Sequence, residues 1–274
     1  MLTALIVFLI LVVIYLYMIM PGKIAAEKKK PYCGGAKFAH RGLYTADQTV
    51  PENSIPAFDA AARAGYGIEL DIQLTADGQI VVFHDDNLKR MCGIDKDVVE
   101  LTLDELQTLR LAGTKEKIPL FSDVLATVKG RVPLIVELKN TRHGAQLCQK
   151  ALELLRKYCG EFCIESFNPY IVRWFRFYAP DIYRGQLVST FGKMKKELGG
   201  ITAFVLSNVL LNTAARPQFI AYDKAGRSLS VRLSHLMGAD KIVWTMQGTD
   251  DTAAMIRKND AVIFEHWTPD DREQ

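Results

Sequence analysis

The chain has 274 residues, a net charge of +3 and an apolar fraction of 49%, enough to build one large single-core domain. The charge is too mild to favour nucleic acid as a partner, and no stripe of Lys and Arg interleaves with aromatics, Lys28-Lys29-Lys30 apart. In chain order, residues 1–20 come first and carry no charged side chain. As a helix they would reach roughly 30 Å, one hydrocarbon core, which predicts a single transmembrane anchor. A cleaved signal peptide would want a basic start, and no Lys or Arg precedes Gly22, so a retained anchor is expected. Residues 21–35 read as a linker carrying Lys23, Lys28, Lys29 and Lys30, which by the positive-inside rule places the remainder, 36–274, in the cytoplasm. Cys33, Cys92, Cys148, Cys159 and Cys163 are odd in number and lack C-x-x-C spacing, arguing against a disulfide framework or a zinc site. An exported domain with accidental bridges is the competing reading.

From residue 36 onward β and α patterns alternate. Strands are predicted at 37–40, 68–72, 134–138, 162–166, 183–188, 219–222, 241–245 and 261–264. Helical patterns lie between them at 54–64, 145–158, 170–178, 229–237 and 251–258. Eight strands with crossover helices argue for an α/β fold, the (β/α)8 TIM barrel. The sequence given ends soon after the eighth strand, so a full closing helix is not expected.

One segment concentrates polar chemistry: His40-Arg41-Gly42, Pro51-Glu52-Asn53-Ser54, Glu69-Leu70-Asp71 and Phe83-His84-Asp85-Asp86. Two imidazoles, an arginine and several carboxylates among short apolar strands are costly unless they are paired, hydrogen-bonded or metal-bound. Asp77-Gly78, between two β-rich runs, signals a two-residue hairpin turn. Ala76 would then pair with Gln79, Asp71 would face His84, and Glu69, Asp71 and His84 would share one face. Ile72, Leu74, Val81 and Phe83 would form the opposite, apolar face.

These motifs, as an ordered set, resemble the glycerophosphodiester phosphodiesterase family, marked by H-R-G, P-E-N-[ST], E-x-D, a D-G turn and V-F-H-D. The likeness continues through Ile118-Pro119-Leu120, Val136-Glu137-Leu138-Lys139, Ser166-Phe167-Asn168-Pro169 and Val243-Trp244-Thr245, and covers essentially everything after the linker. It implies a TIM barrel with a small insertion after the second strand, here about 73–119. It further implies a divalent metal held by Glu69, Asp71 and Glu137, with His40 and His84 as the acid/base pair. Arg41 resembles the phosphate-contacting arginine, Lys139 a nearby cation, and Glu52 a carboxylate in the metal neighbourhood.

The chemistry of these side chains agrees. A phosphodiester repels nucleophiles, so its cleavage needs cations on the nonbridging oxygens and proton transfer at both ends of an in-line displacement. Three carboxylates without a thiolate make a hard oxygen site suited to Mg²⁺ or Ca²⁺, with the choice between them open. By the implied mechanism one histidine deprotonates the glycerol 2-hydroxyl, the other protonates the departing alcohol, and water opens a cyclic phosphate. His40 as base and His84 as acid is the preferred direction. The anchor makes the bilayer a partner and lysophospholipids plausible substrates beside soluble glycerophosphodiesters. Competing readings are a sphingomyelinase D or phosphatidylinositol-type lyase and a non-catalytic membrane-bound scaffold; the scaffold predicts damage among the motif residues, and none is seen.

Other residues carry two readings each. Glu137 is a metal ligand or half of a core ion pair with Lys139, and Trp244 lines a substrate pocket or merely packs. His143 and His235 read as bystanders. Glu265 stands where the family's usual I-T-D-x-P ending has Asp. The apolar stretch 201–211 is too short to span a bilayer; it is expected to be a buried barrel helix, with a lipid-touching or acyl-binding surface as the alternative.

Overall fold

Odd-numbered residues of the second strand, Glu69 and Asp71, point into a barrel, while Ile68, Leu70, Ile72 and Leu74 pack outward with surrounding helices. This period-two division recurs in every strand and explains why two apolar clusters form. The computed structural model describes residues 1–23, 30–32 and 35–268. The strands are β1 (Ala36–His40), β2 (Gly67–Leu74), β3 (Ile80–Val82), β4 (Leu134–Leu138), β5 (Phe162–Ser166), β6 (Arg184–Val188), β7 (Phe219–Asp223), β8 (Asp240–Met246) and β9 (Ala261–Phe264). The helices are α1 (Leu2–Ile19), α2 (Ile55–Arg63), α3 (Lys89–Cys92), α4 (Leu103–Leu106), α5 (Phe121–Val128), α6 (Gly144–Leu155), α7 (Pro169–Tyr178), α8 (Phe191–Leu198), α9 (Gly200–Ser207), α10 (Asn212–Ala215), α11 (Leu229–Leu236) and α12 (Thr252–Lys258).

All strands except β3 run parallel in the order β1-β9-β8-β7-β6-β5-β4-β2, and β1 pairs again with β2. The sheet therefore closes into a (β/α)8 barrel. Its interior is filled by Phe38, Ile135, Leu187, Phe219, Ala221, Ile242, Ala261 and Ile263, with Tyr32 and Tyr183 beneath. Two glycines make room for the largest of these. A Cβ on Gly67 would lie 2.5 Å from the Phe38 ring, and one on Gly185 2.0 Å from the Phe219 ring. Small residues opposite large ones are how a tapering barrel reaches native packing density.

The hairpin after β2 differs from the sequence expectation by one residue. Thr75 N–H bonds to Gln79 O at 2.9 Å, Gly78 N–H returns to Thr75 O at 2.9 Å, and Gly78 takes φ +73°. The loop is thus the three residues Ala76-Asp77-Gly78, and the register becomes Leu74↔Ile80 and Ile72↔Val82. Asp71 faces Phe83, whose N–H donates to Asp71 O at 3.0 Å, rather than His84. A one-residue slip reverses the faces of β3. Ile80 and Val82 join the barrel–helix core with Ile72 and Leu74, whereas Val81 and Phe83 seed a separate cluster with Leu88, Met91, Val98, Leu101, Leu106, Leu111 and Ile118. That third cluster is the core of the insertion.

Helix α1 leaves residues 2–11 exposed and docks only its last turns. Tyr15 OH lies 2.8 Å from Ser230 Oγ, Ser234 Oγ donates to Ile19 O at 2.8 Å, and Arg216 donates to Met20 O at 2.8 Å. Gly22 N–H bonds to Pro217 O at 2.8 Å, and the Lys30 ammonium sits 2.6 Å from Asp240. The predicted linker is therefore attached to the barrel wall at both of these points. Lys28, Lys29 and Cys33 lie outside the described residues. The 201–211 stretch is not a buried helix throughout: α9 buries Ala203 and Ser207 but leaves Ile201 84% and Phe204 55% exposed.

His235, on α11, is buried beside the Arg227 guanidinium, 3.2 Å from its Nδ1. Burial first, and then the Arg227 charge, lower its pKa from an ordinary 6.5 to about 4. The unfolded chain then binds more protons than the folded one between these values, so stability is lost as pH falls through that window. We expect His235→Phe to remove on the order of 3 kcal/mol of this pH dependence, measured by denaturant unfolding at pH 7 and pH 4.

Candidate active site

Parallel pairing sets Asp71 beside Glu137 and Glu137 beside Glu165, and His40 beside Glu69. The result is a layer of carboxylates at the strands' C-terminal ends, above the apolar interior. Oxygens of Glu69, Asp71 and Glu137 all lie within 4.8 Å of one another, and all three residues are buried. Lys139, on the same side of its strand as Glu137, places Nζ 2.7 Å from Asp71 Oδ1 and 2.9 Å from Glu137 Oε1. Arg41 Nε is 3.6 Å from Asp71 Oδ2, its backbone N–H donates to Glu69 Oε2 at 3.2 Å, and Asn53 Nδ2 donates to Asp71 Oδ2 at 2.8 Å.

These neighbours divide the carboxylates electrostatically. Burial opposes charge on Asp71, but Lys139, His84 and Arg41 hold it well below the ordinary carboxylate range. Burial, then repulsion from Asp71, Glu137 and Glu165, pushes Glu69 well above that range. Burial raises Glu137 too, with Lys139 acting against it. Glu165 is raised by burial and by Glu137 and Asp71, and its Oε2 has no hydrogen-bond partner among the described residues. Four buried carboxylates served directly by two cations form a site short of positive charge. An all-oxygen set of this kind fits a hard divalent cation held by Glu69, Asp71 and Glu137.

Both histidines are oriented by carboxylates. His40 Nδ1 lies 2.7 Å from Glu265 Oε2, which also accepts from Tyr44 OH at 3.1 Å, while Gln247 Nε2 donates to Oε1 at 3.0 Å. An ionised carboxylate only accepts, so Nδ1 of His40 carries hydrogen and Nε2, 3.9 Å from Glu69 Oε2, faces the carboxylate layer. Burial lowers His40 below its usual pKa, partly countered by Glu265. Burial resists charge on Glu265, yet the His40 hydrogen bond and charge bring it down to about 2.

His84 Nδ1 sits 2.7 Å from Asp85 Oδ1. Arg90, on α3 of the insertion, clamps Asp85 through Nε at 2.7 Å and reaches Glu52 with two further bonds of 2.9 and 2.7 Å. Glu52 in turn accepts from Arg41 at 2.7 Å. Glu52 therefore stands behind Arg41 as a bridge between two guanidiniums, outside the triad of clustered carboxylates. Lys139 points at Asp71 and Glu137 rather than into open space.

A cavity of about 270 Å³ opens above this layer. His40, Arg41, Glu69, His84, Glu137, Glu165 and Glu265 supply its polar lining, and Phe167, Leu187, Trp244 and Ile263 its apolar lining. Trp244 meets Phe167 edge to face at 5.9 Å. Despite the shifted hairpin register, His84, the residue after the last bond of the hairpin to β2 (Phe83 N–H to Asp71 O), still lines the cavity. His143 caps α6 and His235 lies on α11, both away from the cavity lining. Sequence reading gave no role to Glu165, Asp85 or Arg90. Glu165 precedes the quoted Ser166-Phe167-Asn168 run, so its place at an inward strand position was the available signal; Arg90 had none.

We expect Mg²⁺ or Ca²⁺ at a hundredfold excess over its Kd to stabilise the full chain in detergent by about 2.7 kcal/mol. Glu137→Gln should remove most of that gain in a thermal-unfolding titration.

The profile of the glycerophosphoryl diester phosphodiesterase family matches residues 40–267. A glycerophosphodiester phosphodiesterase of Caldanaerobacter subterraneus subsp. tengcongensis is 35% identical over 54% of this chain and 65% of its own length. A lysophospholipase D of Rattus norvegicus is 31% identical over 49% of this chain and 45% of its own length. The chain thus spans less than two thirds of the length of these curated relatives. The solved structure of a glycerophosphodiester phosphodiesterase from Thermotoga maritima is 26% identical with a TM-score of 0.61, covering 83% of this chain and 93% of that one. A family match extending over most of the chain and enclosing every strand-end carboxylate described above shows that this chain belongs to the glycerophosphoryl diester phosphodiesterase family.

Proposed function

We propose that the chain hydrolyses glycerophosphodiesters to glycerol phosphate and an alcohol, with a divalent cation at Glu69, Asp71 and Glu137 and with His40 and His84 moving the protons. The observation that carries this reading is a single cavity lined by two carboxylate-oriented histidines, an arginine and a metal-competent carboxylate cluster. A bound cation would supply positive charge to a nonbridging phosphate oxygen. Arg41, fixed by Glu52, adds a second positive charge at the cavity wall.

A carboxylate at Nδ1 of each ring supports the following proton steps. His40 Nε2 accepts the proton of the glycerol 2-hydroxyl as that oxygen bonds to phosphorus, and protonated His84 gives its proton to the departing alcohol oxygen. Water then opens the cyclic phosphate with the roles reversed. Glu265 stabilises the His40 cation formed on the way, as Asp85 does for His84. The requirement for a free 2-hydroxyl restricts acylated substrates to lysophospholipids, which would yield lysophosphatidate. Similarity to a lysophospholipase D and the apolar wall of Phe167, Leu187, Trp244 and Ile263 support that extension. We further propose that α1 anchors the enzyme in the membrane, its 18 residues being long and apolar enough to cross one. The basic residues after it favour a cytoplasmic barrel.

The test is turnover by the full chain in detergent with glycerophosphocholine, a lysophosphatidylcholine or a diacyl phosphatidylcholine, with Mg²⁺, Ca²⁺ or chelator. We expect metal-dependent release of glycerol phosphate and lysophosphatidate from the first two, no cleavage of the diacyl lipid, and a loss of roughly 10²–10⁴-fold in kcat for His84→Ala. Cyclic phosphate as the final product would favour a lyase, and no turnover with any metal would favour a scaffold. Arg90→Ala, which frees Asp85 and Glu52 without touching the cavity, should lower kcat roughly 10–100-fold while leaving KM close to wild type.

A further inference from the structure

Helix α11 carries the chain from the C-terminal end of β7 back to the start of β8, so its first turn lies at the barrel end where the cavity opens. Helix α1 runs alongside it in the same direction. Tyr15 meets Ser230 in the first turn of α11, Ile19 meets Ser234 one turn on, and Gly22 reaches Pro217 just before β7. Residues 1–14 therefore extend past the catalytic end, for about 20 Å at 1.5 Å per residue. That is short of a hydrocarbon core of about 30 Å. For α1 to span, the bilayer must come down to the level of its docked turns, where the barrel rim stands beside it.

The rim at that level is the α8–α9 hairpin. Its first turn is tied to the end of β7 by Lys193 and Asp223 at 2.7 Å. Its last turn abuts α11, where Ser228 Oγ donates to Ser207 O at 2.9 Å and Ser230 Oγ to Asn208 Oδ1 at 3.0 Å. Ser230 is also the residue that receives Tyr15. The outward face shows Phe191, Leu198, Ile201, Phe204 and, from α11, Leu229, between 44% and 84% exposed. Lys193, Lys195 and Lys196 intersperse with these apolar residues against one acid, Glu197. Exposed apolar side chains among lysines, continuous with a spanning helix, have the chemistry of an interfacial membrane surface.

We propose that the α8–α9 hairpin and Leu229 form a docking surface for the interface of a bilayer bearing anionic headgroups, which turns the cavity mouth toward the lipid. The surface rests on α1 spanning the membrane; its consequence for substrate rests on the hydrolase reading. Lipid-borne substrates would then enter the cavity from the bilayer side, while soluble glycerophosphodiesters would not need the surface.

The full chain in nanodiscs containing brominated and anionic lipid tests each part separately. Tryptophan is placed at Phe204, at Leu9 in α1, and at Glu161, which precedes β5 at the opposite end of the barrel. We expect quenching above the parent chain for Leu9→Trp and Phe204→Trp, and none for Glu161→Trp. Quenching at residue 9 without any excess at residue 204 over residue 161 would overturn the docking surface; no quenching at residue 9 would overturn the anchor and the surface with it. The double variant Ile201→Asp/Phe204→Asp should raise KM for lysophosphatidylcholine in the same bilayer roughly tenfold and leave glycerophosphocholine turnover unchanged. Equal effects on both substrates would overturn the link to substrate entry. Absent quenching at residue 204, together with a dimer abolished by the double variant, would assign this face to a second copy of the chain.

Discussion

Four carboxylates brought together in a buried layer set the terms for the rest of this molecule. Burying such charges without partners is prohibitive, and the fold meets that constraint from several directions at once. Lys139 lies two residues after Glu137, just past the end of β4, so one strand brings both a buried carboxylate and its counter-ion. Arg41 arrives from the turn after β1 with φ +54°, and Asn53 with φ +52°; Asn53 N–H bonds to Arg41 O at 3.0 Å, locking the two turns against each other. Backbone placed in this sparsely populated region needs such over-determination. The positive charge still lacking is what a divalent cation would contribute.

The insertion belongs to the same electrostatic arrangement. Its own apolar cluster, seeded by Val81 and Phe83, gives α3 a rigid seat, and α3 presents Arg90 to Asp85 and Glu52 together. One guanidinium therefore couples the carboxylate that orients His84 to the carboxylate that orients Arg41. Around the other side of the mouth, Glu265 at the end of β9 performs the corresponding service for His40. The two imidazoles are held by separate parts of the chain, and their environments differ accordingly: His40 is nearly enclosed, and the His84 side chain is 33% exposed.

The N-terminal helix adds a directional constraint. Because it packs along α11 in parallel, its free length leaves from the end of the barrel where the carboxylate-lined cavity opens rather than from the base. Lys30 is engaged with Asp240 at that base, so part of the basic segment read as a topology signal also serves to pin the chain to the barrel.

Alternation of apolar and polar residues was sufficient to read an eight-stranded barrel and to put Glu69 and Asp71 on one face, whereas the insertion after the second strand and the addition of Glu137 to that pair came from the family resemblance of the ordered motifs. The strands and the shared face of Glu69 and Asp71 depend on near neighbours along the chain and on the inward positions that period-two alternation exposes. The hairpin register was not settled that way, because Asp-Gly suits both two- and three-residue loops, and Thr75, bonding across to Gln79, selected the longer one. Nor were the roles of Glu165, Arg90 and Glu265 legible, since each depends on which strand or helix closes beside it. The docking of α1 along α11 likewise joins residues more than two hundred positions apart. By itself the sequence determined which side chains are too polar to lie in a strand without purpose; only the closed barrel decided which of them share a wall, because partners distant in the chain meet through parallel register and packing.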